Sequence, residues 1–298
     1  MSELFSSTGP NHQRRSIQGE HKMKKVIVVS GSLRKNGDTT RLTRLVQERM
    51  KSRGEVEFET VFLKDMNIEY CRGCFLCMKK GREACPIKDD VIALRDRLLA
   101  ADGVIFVTPV YVHTVTALMK NFLDRFAFFM HRPAFHNRPA MIITSTELSG
   151  MVETIAYMKF PVIAWGFTLM GSVGIIVDAF REEGKFRNEV LASIDRIAGS
   201  FVGRLYSDRV DSPSVQALQF FNKLRTKIRL HRKNLPYDYR YWSERGWLKD
   251  DFFYRVKINP VKKFLGKLPL AVIKLVMRVK LGGPLYHKMF TAAMKDRV

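Results

Sequence analysis

The chain has 298 residues, 46% of them hydrophobic, which suffices for a real core and excludes a disordered protein. Its formal charge is +22, and most of the excess falls late: from Arg204 onward 22 Lys/Arg face 7 Asp/Glu, a net of +15. No run of about 18 uncharged apolar residues occurs, so no membrane-spanning helix is expected.

The first 22 residues are polar and lack the apolar stretch of a secretory signal. They read as a disordered tail, or as a start assigned too early, ahead of a first strand that begins at Met23-Lys24-Lys25-Val26. From there to about Tyr206, short apolar runs alternate with amphipathic stretches of helical length, the pattern of a parallel sheet covered on both faces. The runs are 26–29, 56–63, 104–107, 141–144 and 173–177; the helical stretches are 39–51, 90–101, 117–130, 151–164 and 189–205. Five strands and their helices predict a three-layer α/β sandwich over residues 23–206. Residues 64–88 interrupt the rhythm as an insertion, and residues 207–298 form a basic, aromatic-rich extension expected to be helical.

The first run leads into Ser30-Gly31-Ser32-Leu33-Arg34-Lys35-Asn36-Gly37-Asp38-Thr39-Thr40 and then a helix. A loop at the carboxyl end of a first strand, feeding a helix N-terminus, offers unpaired N–H groups and the positive end of a dipole. Hydroxyls of Ser32, Thr39 and Thr40 can add donors, Arg34 can add charge, and glycines let the backbone come close; the loop suits a phosphate monoester. It carries neither G-x-G-x-x-G nor G-x-x-x-x-G-K-[ST]. The alternative is an ordinary βα turn with Asp38 or Thr39 as helix N-cap.

The third run ends in Thr108-Pro109-Val110-Tyr111-Val112-His113, followed by Lys120-Asn121-Phe122-Leu123-Asp124-Arg125. With Gly31-Ser32-Leu33-Arg34-x-x-Gly37-x-Thr39 and a cysteine segment that ends in Lys88-Asp89-Asp90, residues 24 to 205 resemble the NADPH-dependent FMN reductase family of flavodoxin-like proteins. Within that family they are most similar to the iron–sulfur flavoproteins. The resemblance implies a sheet in the order 2-1-3-4-5 with FMN at its carboxyl edge. It further implies that Ser32, Arg34, Gly37, Asp38, Thr39 and Thr40 hold the phosphate and that Pro109, Val110 and Tyr111 hold the isoalloxazine ring. A third contact is implied for Thr144–Gly150, whose Glu147 is expected to point outward. NAD(P)H is the implied electron donor, and a homo-oligomer would suit the family.

Cys71, Cys74, Cys77 and Cys85 follow a C-x2-C-x2-C-x7-C-P spacing. One compact turn with a returning fourth ligand can surround a [4Fe-4S] cluster, and Gly73 permits the tight wrapping. Zinc suits the spacing less well, because its ligands usually come as two separated pairs. Redox-active or merely packed thiols are the alternatives. Cysteines gathered in one segment do not make a secreted disulfide framework, so a reducing, cytoplasmic setting is expected.

In the extension, residues 259–280 predict a cationic amphipathic helix carrying Lys263, Lys267, Lys274 and Arg278, with a break at Pro269. Together with Tyr237, Tyr239, Tyr241, Trp242 and Trp247 it could touch an anionic membrane surface; packing on the flavin domain or across a dimer is the favoured reading. Nucleic acid is not expected, because no recognition motif accompanies the charge. The function expected is FMN-dependent electron transfer from NAD(P)H to an unidentified acceptor. The alternative is a non-enzymatic carrier or redox-responsive flavoprotein docked by its basic arm.

Overall fold

The computed structural model describes residues 23–268. The tail 1–22 and the stretch after Leu268, with Pro269, Lys274 and Arg278, lie outside the described residues. Five parallel strands, β1 (Lys24–Ser30), β2 (Val56–Phe62), β3 (Gly103–Pro109), β4 (Pro139–Thr146) and β5 (Thr168–Ile176), form one sheet in the order β2-β1-β3-β4-β5. Central parallel strands are covered on both faces and so need unbroken apolar runs. Accordingly Val26, Ile27, Val28 and Val29 are all fully buried, and all eight residues of β4 are buried.

Helices α1 (Asp38–Lys51), α2 (Leu76–Lys79), α3 (Val91–Ala100), α4 (Ala117–Arg125), α5 (Phe128–His131), α6 (Met151–Ala164), α7 (Val177–Arg181) and α8 (Lys185–Leu205) follow or interrupt the strands. Side chains alternate across each strand, which divides the core in two. Val26, Val28, Ile105 and Met141 meet α1 and α8 on one face. Ile27, Val29, Phe106 and Ile142 meet α3, α4 and α6 on the other. This is the flavodoxin-like sandwich read from the sequence.

Two helices differ from their expected form. α1 starts at Asp38, and its N-cap is Gly37, which has no side-chain cap; Asp38 is drawn instead to Arg181 at 3.0 Å and Thr39 to Ser145 at 2.6 Å. The stretch expected as one helix over 117–130 breaks at Phe126 and Ala127. Phe122, Phe126, Phe128 and Phe129 all reach one aromatic core around Trp165. Neighbouring positions on a helix point about 100° apart, so one continuous face cannot present all four rings.

Beyond Tyr206 lie α9 (Val215–Leu230), α10 (Pro236–Glu244) and α11 (Pro260–Lys267). Their core is Leu218, Phe221, Leu224, Ile228, Trp242, Trp247, Phe252 and Phe253. Of the aromatic residues that suggested a membrane interface, Trp242 and Trp247 lie in this core and Tyr239 and Tyr241 pack against it: Trp242 is fully buried, and its ring lies 5.5 Å from Phe221. α11 matches the start of the expected 259–280 helix, whose remainder lies outside the described residues, and within it Lys263 pairs with Asp251.

The extension is tied down by polar contacts. Asp238, with no exposure, bonds His131 Nδ1 at 2.6 Å and also pairs with Arg132, and Trp242 Nε1 donates to the His131 carbonyl at 2.7 Å. His136 lies among Trp247, Phe253 and Tyr254, and burial pushes its pKa down to about 4. A buried neutral imidazole protonates more readily once unfolded, so stability is full above the unfolded pKa and falls as pH drops from about 6.5 toward about 4. Urea unfolding should show a loss of about 2 kcal/mol between pH 7 and pH 5 from this group. His136→Phe should remove that part of the slope; an unchanged slope would show that His136 does not carry it.

Candidate functional site

The strands are parallel, so β1, β3 and β4 deliver their following loops to the same carboxyl edge, where open α/β sheets bind ligands. In the first loop, Ser32 Oγ donates to the Arg34 carbonyl at 3.1 Å and accepts from the Arg34 N–H at 3.2 Å. Thr40 Oγ1 donates to the same carbonyl at 3.0 Å. These hydroxyls, expected to point at a phosphate, are spent on shaping the loop. What the loop keeps open is backbone: the N–H groups of Leu33, Lys35, Asn36, Asp38 and Thr39 have no protein acceptor among the described residues. The Arg34 side chain is exposed and makes no ion pair among the described residues, while the Asp38 carboxylate is held by Arg181.

Gly31 shows why this loop meets the next so closely. A Cβ on it would lie 2.8 Å from Thr116 Oγ1 and 2.9 Å from Met119 Cβ. Thr116 donates to the Gly31 carbonyl at 2.9 Å, caps α4 through the Met119 N–H, and takes its own N–H to Thr108 Oγ1. Thr116 went unassigned in the sequence, and Thr108 and Ser145 stood there only as members of their loops. A threonine three residues ahead of Met119 is a readable cap signal, but its long-range partner is not local information.

The second loop is a tight reversal. Tyr111 and Thr114 exchange both backbone bonds, at 2.8 and 3.1 Å, around Val112 and His113, whose φ angles are 49° and 61°. Two left-handed residues make a turn that usually takes Asn-Gly, and a β-branched residue there is strained. Val112 is 96% exposed, so no packing compensates. Tyr111 is partly exposed, and Pro109 and Val110 continue the edge, with Val110 N–H bonded to the Ser145 carbonyl at 2.8 Å. The third loop closes on the second: Gly150, at φ 85°, has room for no side chain beside His113 Cα and Val110 Cγ1, and Ser149 Oγ lies 3.1 Å from His113 Nε2. Glu147 is exposed, as expected.

The cysteine segment is closed at its neck. Asp90 receives the Asn67 N–H at 2.8 Å and returns its own N–H to the Asn67 carbonyl, while Asp89 receives the Glu69 N–H at 2.9 Å. Asn121 donates to the Ile68 carbonyl at 2.9 Å. Arg125 donates to the Glu69 carbonyl and forms a fully buried pair with Asp89, 2.9 Å from Nη2 to Oδ1. Burial works to raise the Asp89 carboxyl, but the bonds from Arg125 and from the Glu69 and Val91 N–H groups outweigh it and hold it below the usual range. Lys88-Asp89-Asp90 and Asn121-x-x-x-Arg125, quoted in the sequence without roles, are the two halves of this clasp.

Above the neck the chain turns through Gly73 (φ 61°), Phe75 (φ 58°) and Gly81 (φ 98°). Cys71 and Cys74 are exposed, Cys77 and Cys85 half-buried, and all four are free thiols. Burial pushes the Cys77 thiol up; Arg132 opposes this, and Cys71, Cys85 and Cys74 add to it, so all four sulfurs share one electrostatic neighbourhood. Among the described residues, no three His, Cys, Asp or Glu side chains are grouped as for a single metal ion. Arg82 is buried, its guanidinium lies over the Phe128 ring at 5.6 Å, and its Nε and Nη2 have no hydrogen-bond partner among the described residues. Buried N–H groups without an acceptor are costly unless an anionic group lies beside them. Arg132 donates to the Cys77 carbonyl at 2.7 Å. Four thiols, a buried cation with N–H groups to spare and a second cation at the backbone suit a negatively charged tetrathiolate cluster. The sequence does not single out Arg82, because its burial is a tertiary fact.

Comparison with known proteins agrees with this geometry. The model of the family described as NADPH-dependent FMN reductase matches residues 24–181. The chain is similar to an iron-sulfur flavoprotein of Archaeoglobus fulgidus, 30% identical over 228 residues that cover 75% of this chain and 100% of the relative. An iron-sulfur flavoprotein of Clostridioides difficile is 30% identical over 179 residues, covering 59% of this chain and 77% of that one. Among solved structures, RosB with its bound intermediate 8-demethyl-8-formylriboflavin-5'-phosphate is similar in fold, with a TM-score of 0.50 at 13% identity over 80% of this chain and 92% of RosB.

The strained reversal gives a direct test. Val112→Asn, which accepts the left-handed conformation and loses no packing, should raise stability by about 1 kcal/mol in chemical denaturation. A neutral or destabilising result would mean that Val112 is not strained.

Proposed function

The chain belongs to the NADPH-dependent FMN reductase family and is an FMN-dependent oxidoreductase, and we propose that it moves electrons from NAD(P)H by way of a [4Fe-4S] cluster to a separate acceptor. The observation that carries this reading is the meeting, at one sheet edge, of an amide-rich loop, a strained Tyr111 reversal and a clasped four-cysteine loop.

Bound FMN supplies the hydride and one-electron chemistry, and the protein supplies position, polarity and access. The N–H groups of Leu33, Lys35, Asn36, Asp38 and Thr39, at the positive end of α1, suit the phosphate, with Arg34 adding charge from its exposed position. In this reading Ser32 and Thr40 act by fixing the loop, Thr39 by linking it to Ser145, Gly37 by letting the backbone approach, and Asp38 through its N–H. Pro109, Val110 and Tyr111 offer a flat, largely apolar bed for the ring, held by Gly150 beneath His113. The open side of that bed is where a nicotinamide would enter.

Cys71, Cys74, Cys77 and Cys85 would hold the cluster, with Arg82 and Arg132 offsetting its negative charge. The apolar side chains Leu33, Tyr70, Phe75, Val112 and Leu148 are exposed on these same loops. Such a rim suits a second copy of the chain, so we propose a homo-oligomer assembled at this edge. The cysteine usage supports a reducing, cytoplasmic setting.

Anaerobically purified protein should show flavin bands together with broad cluster absorption, about four iron and four sulfide per chain, and bleaching of the flavin by NADPH or NADH. An FMN-loaded protein that neither nucleotide reduces would overturn the donor. Yellow, iron-free protein from a cluster-competent host would overturn the cluster. Arg82→Gln removes the buried cation and should lower the cluster's reduction potential by about 50 mV; an unmoved potential would place Arg82 outside its field.

A further inference from the structure

The arm formed by residues 77–85 carries the third and fourth cysteines, and its own backbone does little to hold it in place. α2 is a single turn, and the backbone bonds of Met78 and Lys79 to Phe75, Lys80 to Leu76, Ala84 to Gly81 and Cys85 to Arg82 all stay within residues 75–85. So short a helix is not stable alone, and the arm takes its position from side chains that reach it. Met78 is buried in the core on the face of α3, α4 and α6, Arg82 lies over Phe128, and Glu83 meets Arg95 at 2.9 Å on the surface. Two further ties come from Arg132 and from the first turn of α10.

Arg132 divides its guanidinium between two partners. Nη2 donates to the Cys77 carbonyl at 2.7 Å, and Nη1 pairs with Asp238 of α10. Asp238 has no exposure and spends its other oxygen on His131 Nδ1 at 2.6 Å. The donor to Cys77 therefore cannot swing away without depriving a buried carboxylate of its cation. Tyr237, one residue earlier, covers the same guanidinium at 5.0 Å, and its ring lies 2.8 Å from where a Cβ on Gly81 would be. Gly81, at φ 98°, turns the arm back toward Cys85. Two adjacent residues of the extension thus reach both ends of the arm, Asp238 through Arg132 and Tyr237 directly.

We propose that this turn of α10 is part of the cysteine site: Asp238 and Tyr237 are positioning residues for Cys77 and Cys85, and through them the extension sets how firmly the cluster is kept and at what potential it works. The inference rests on the cluster reading above. Groups that orient a metal's ligands without touching the metal typically change its affinity by roughly 10–100-fold. Asp238 also acts by charge. Replacing it with a neutral group of the same shape leaves the Arg132 cation less compensated, which favours the more negative, reduced cluster. A carboxylate that served only to dock the extension would move stability and leave the potential where it was.

The test uses the FMN-loaded full chain. Tyr237→Ala should speed iron loss to a chelator by at least about tenfold, whereas Tyr237→Phe, which keeps the ring, should lose iron at the parental rate. Asp238→Asn should raise the cluster's potential, shifting the ratio of reduced to oxidised cluster at a fixed poise by about tenfold, or about 59 mV for one electron. Flavin absorbance should match the parent in all three. Parental iron loss in Tyr237→Ala would overturn the proposal, as would equal acceleration in Tyr237→Ala and Tyr237→Phe, or a potential that Asp238→Asn leaves unmoved. A parental chain without iron would instead overturn the cluster reading, and the positioning is then decided on the free thiols. In that chain Tyr237→Ala should raise the rate of iodoacetamide labelling at Cys77 and Cys85 by at least about tenfold and leave the exposed Cys71 and Cys74 unchanged; parental rates at Cys77 and Cys85, or a uniform rise at all four, would overturn it.

Discussion

Asp89 is a carboxylate taken wholly out of water, and the clasp it makes with Arg125 fixes where the cysteine loop begins and ends. An isolated buried charge is strongly unfavourable, so the pair is supported by further hydrogen bonds on both partners. Asp89 takes the Glu69 and Val91 N–H groups, and Arg125 reaches the Glu69 carbonyl. The result is a loop whose two stems cannot move apart without stranding a charge. Geometry so constrained is what a multi-cysteine site requires, because thiols on a free loop would have to be ordered at the moment of metal binding.

Asp238 repeats the device for the extension. It too has no exposure, and it holds His131 and Arg132 at once. Arg132 continues to the Cys77 carbonyl, and Tyr237, the neighbour of Asp238, lies over the Arg132 guanidinium at 5.0 Å. Gly81 of the cysteine segment is kept side-chain-free by that same Tyr237 ring, 2.8 Å from where a Cβ would be. The basic extension is therefore in physical contact with the cysteine segment, and its high charge is carried by a surface around a conventional aromatic core.

How much of this was legible follows the range of the forces involved. Strands announced themselves because a parallel sheet buries both faces, so Val26–Val29 and β4 read as unbroken apolar runs. The loops at the carboxyl edge were legible through residue types with local meaning, such as Gly31, Gly37 and Pro109. What stayed hidden depends on separation in sequence. Thr39 meets Ser145, Thr116 meets Gly31, and Arg125 meets Asp89, and nothing in the flanking residues of either partner names the other. The hydroxyls show the limit most clearly: Ser32 and Thr40 were read as ligand donors from their chemistry, yet the nearer acceptor, the Arg34 carbonyl, takes both.

One short segment, Thr116 to Arg132, touches the amide-rich loop, the cysteine loop and the extension. Its first residue grips the Gly31 carbonyl in the amide-rich loop, its middle holds the neck of the cysteine loop through Asn121 and Arg125, and its end holds the extension and the Cys77 carbonyl through His131 and Arg132. The segment is not free to adjust, because Phe122, Phe126, Phe128 and Phe129 anchor it in the ring cluster around Trp165. Aromatic contacts of this kind contribute about 0.5–1.5 kcal/mol each beyond simple burial. The break at Phe126 and Ala127 follows from the same demand: it turns the second half so that Phe128 and Phe129 enter the core while His131 and Arg132 face Asp238. A continuous helix would satisfy its backbone better, but it would give up either the rings or the clasp. The kink is thus the geometric condition under which the amide-rich loop, the cysteine loop and the extension share a single rigid support.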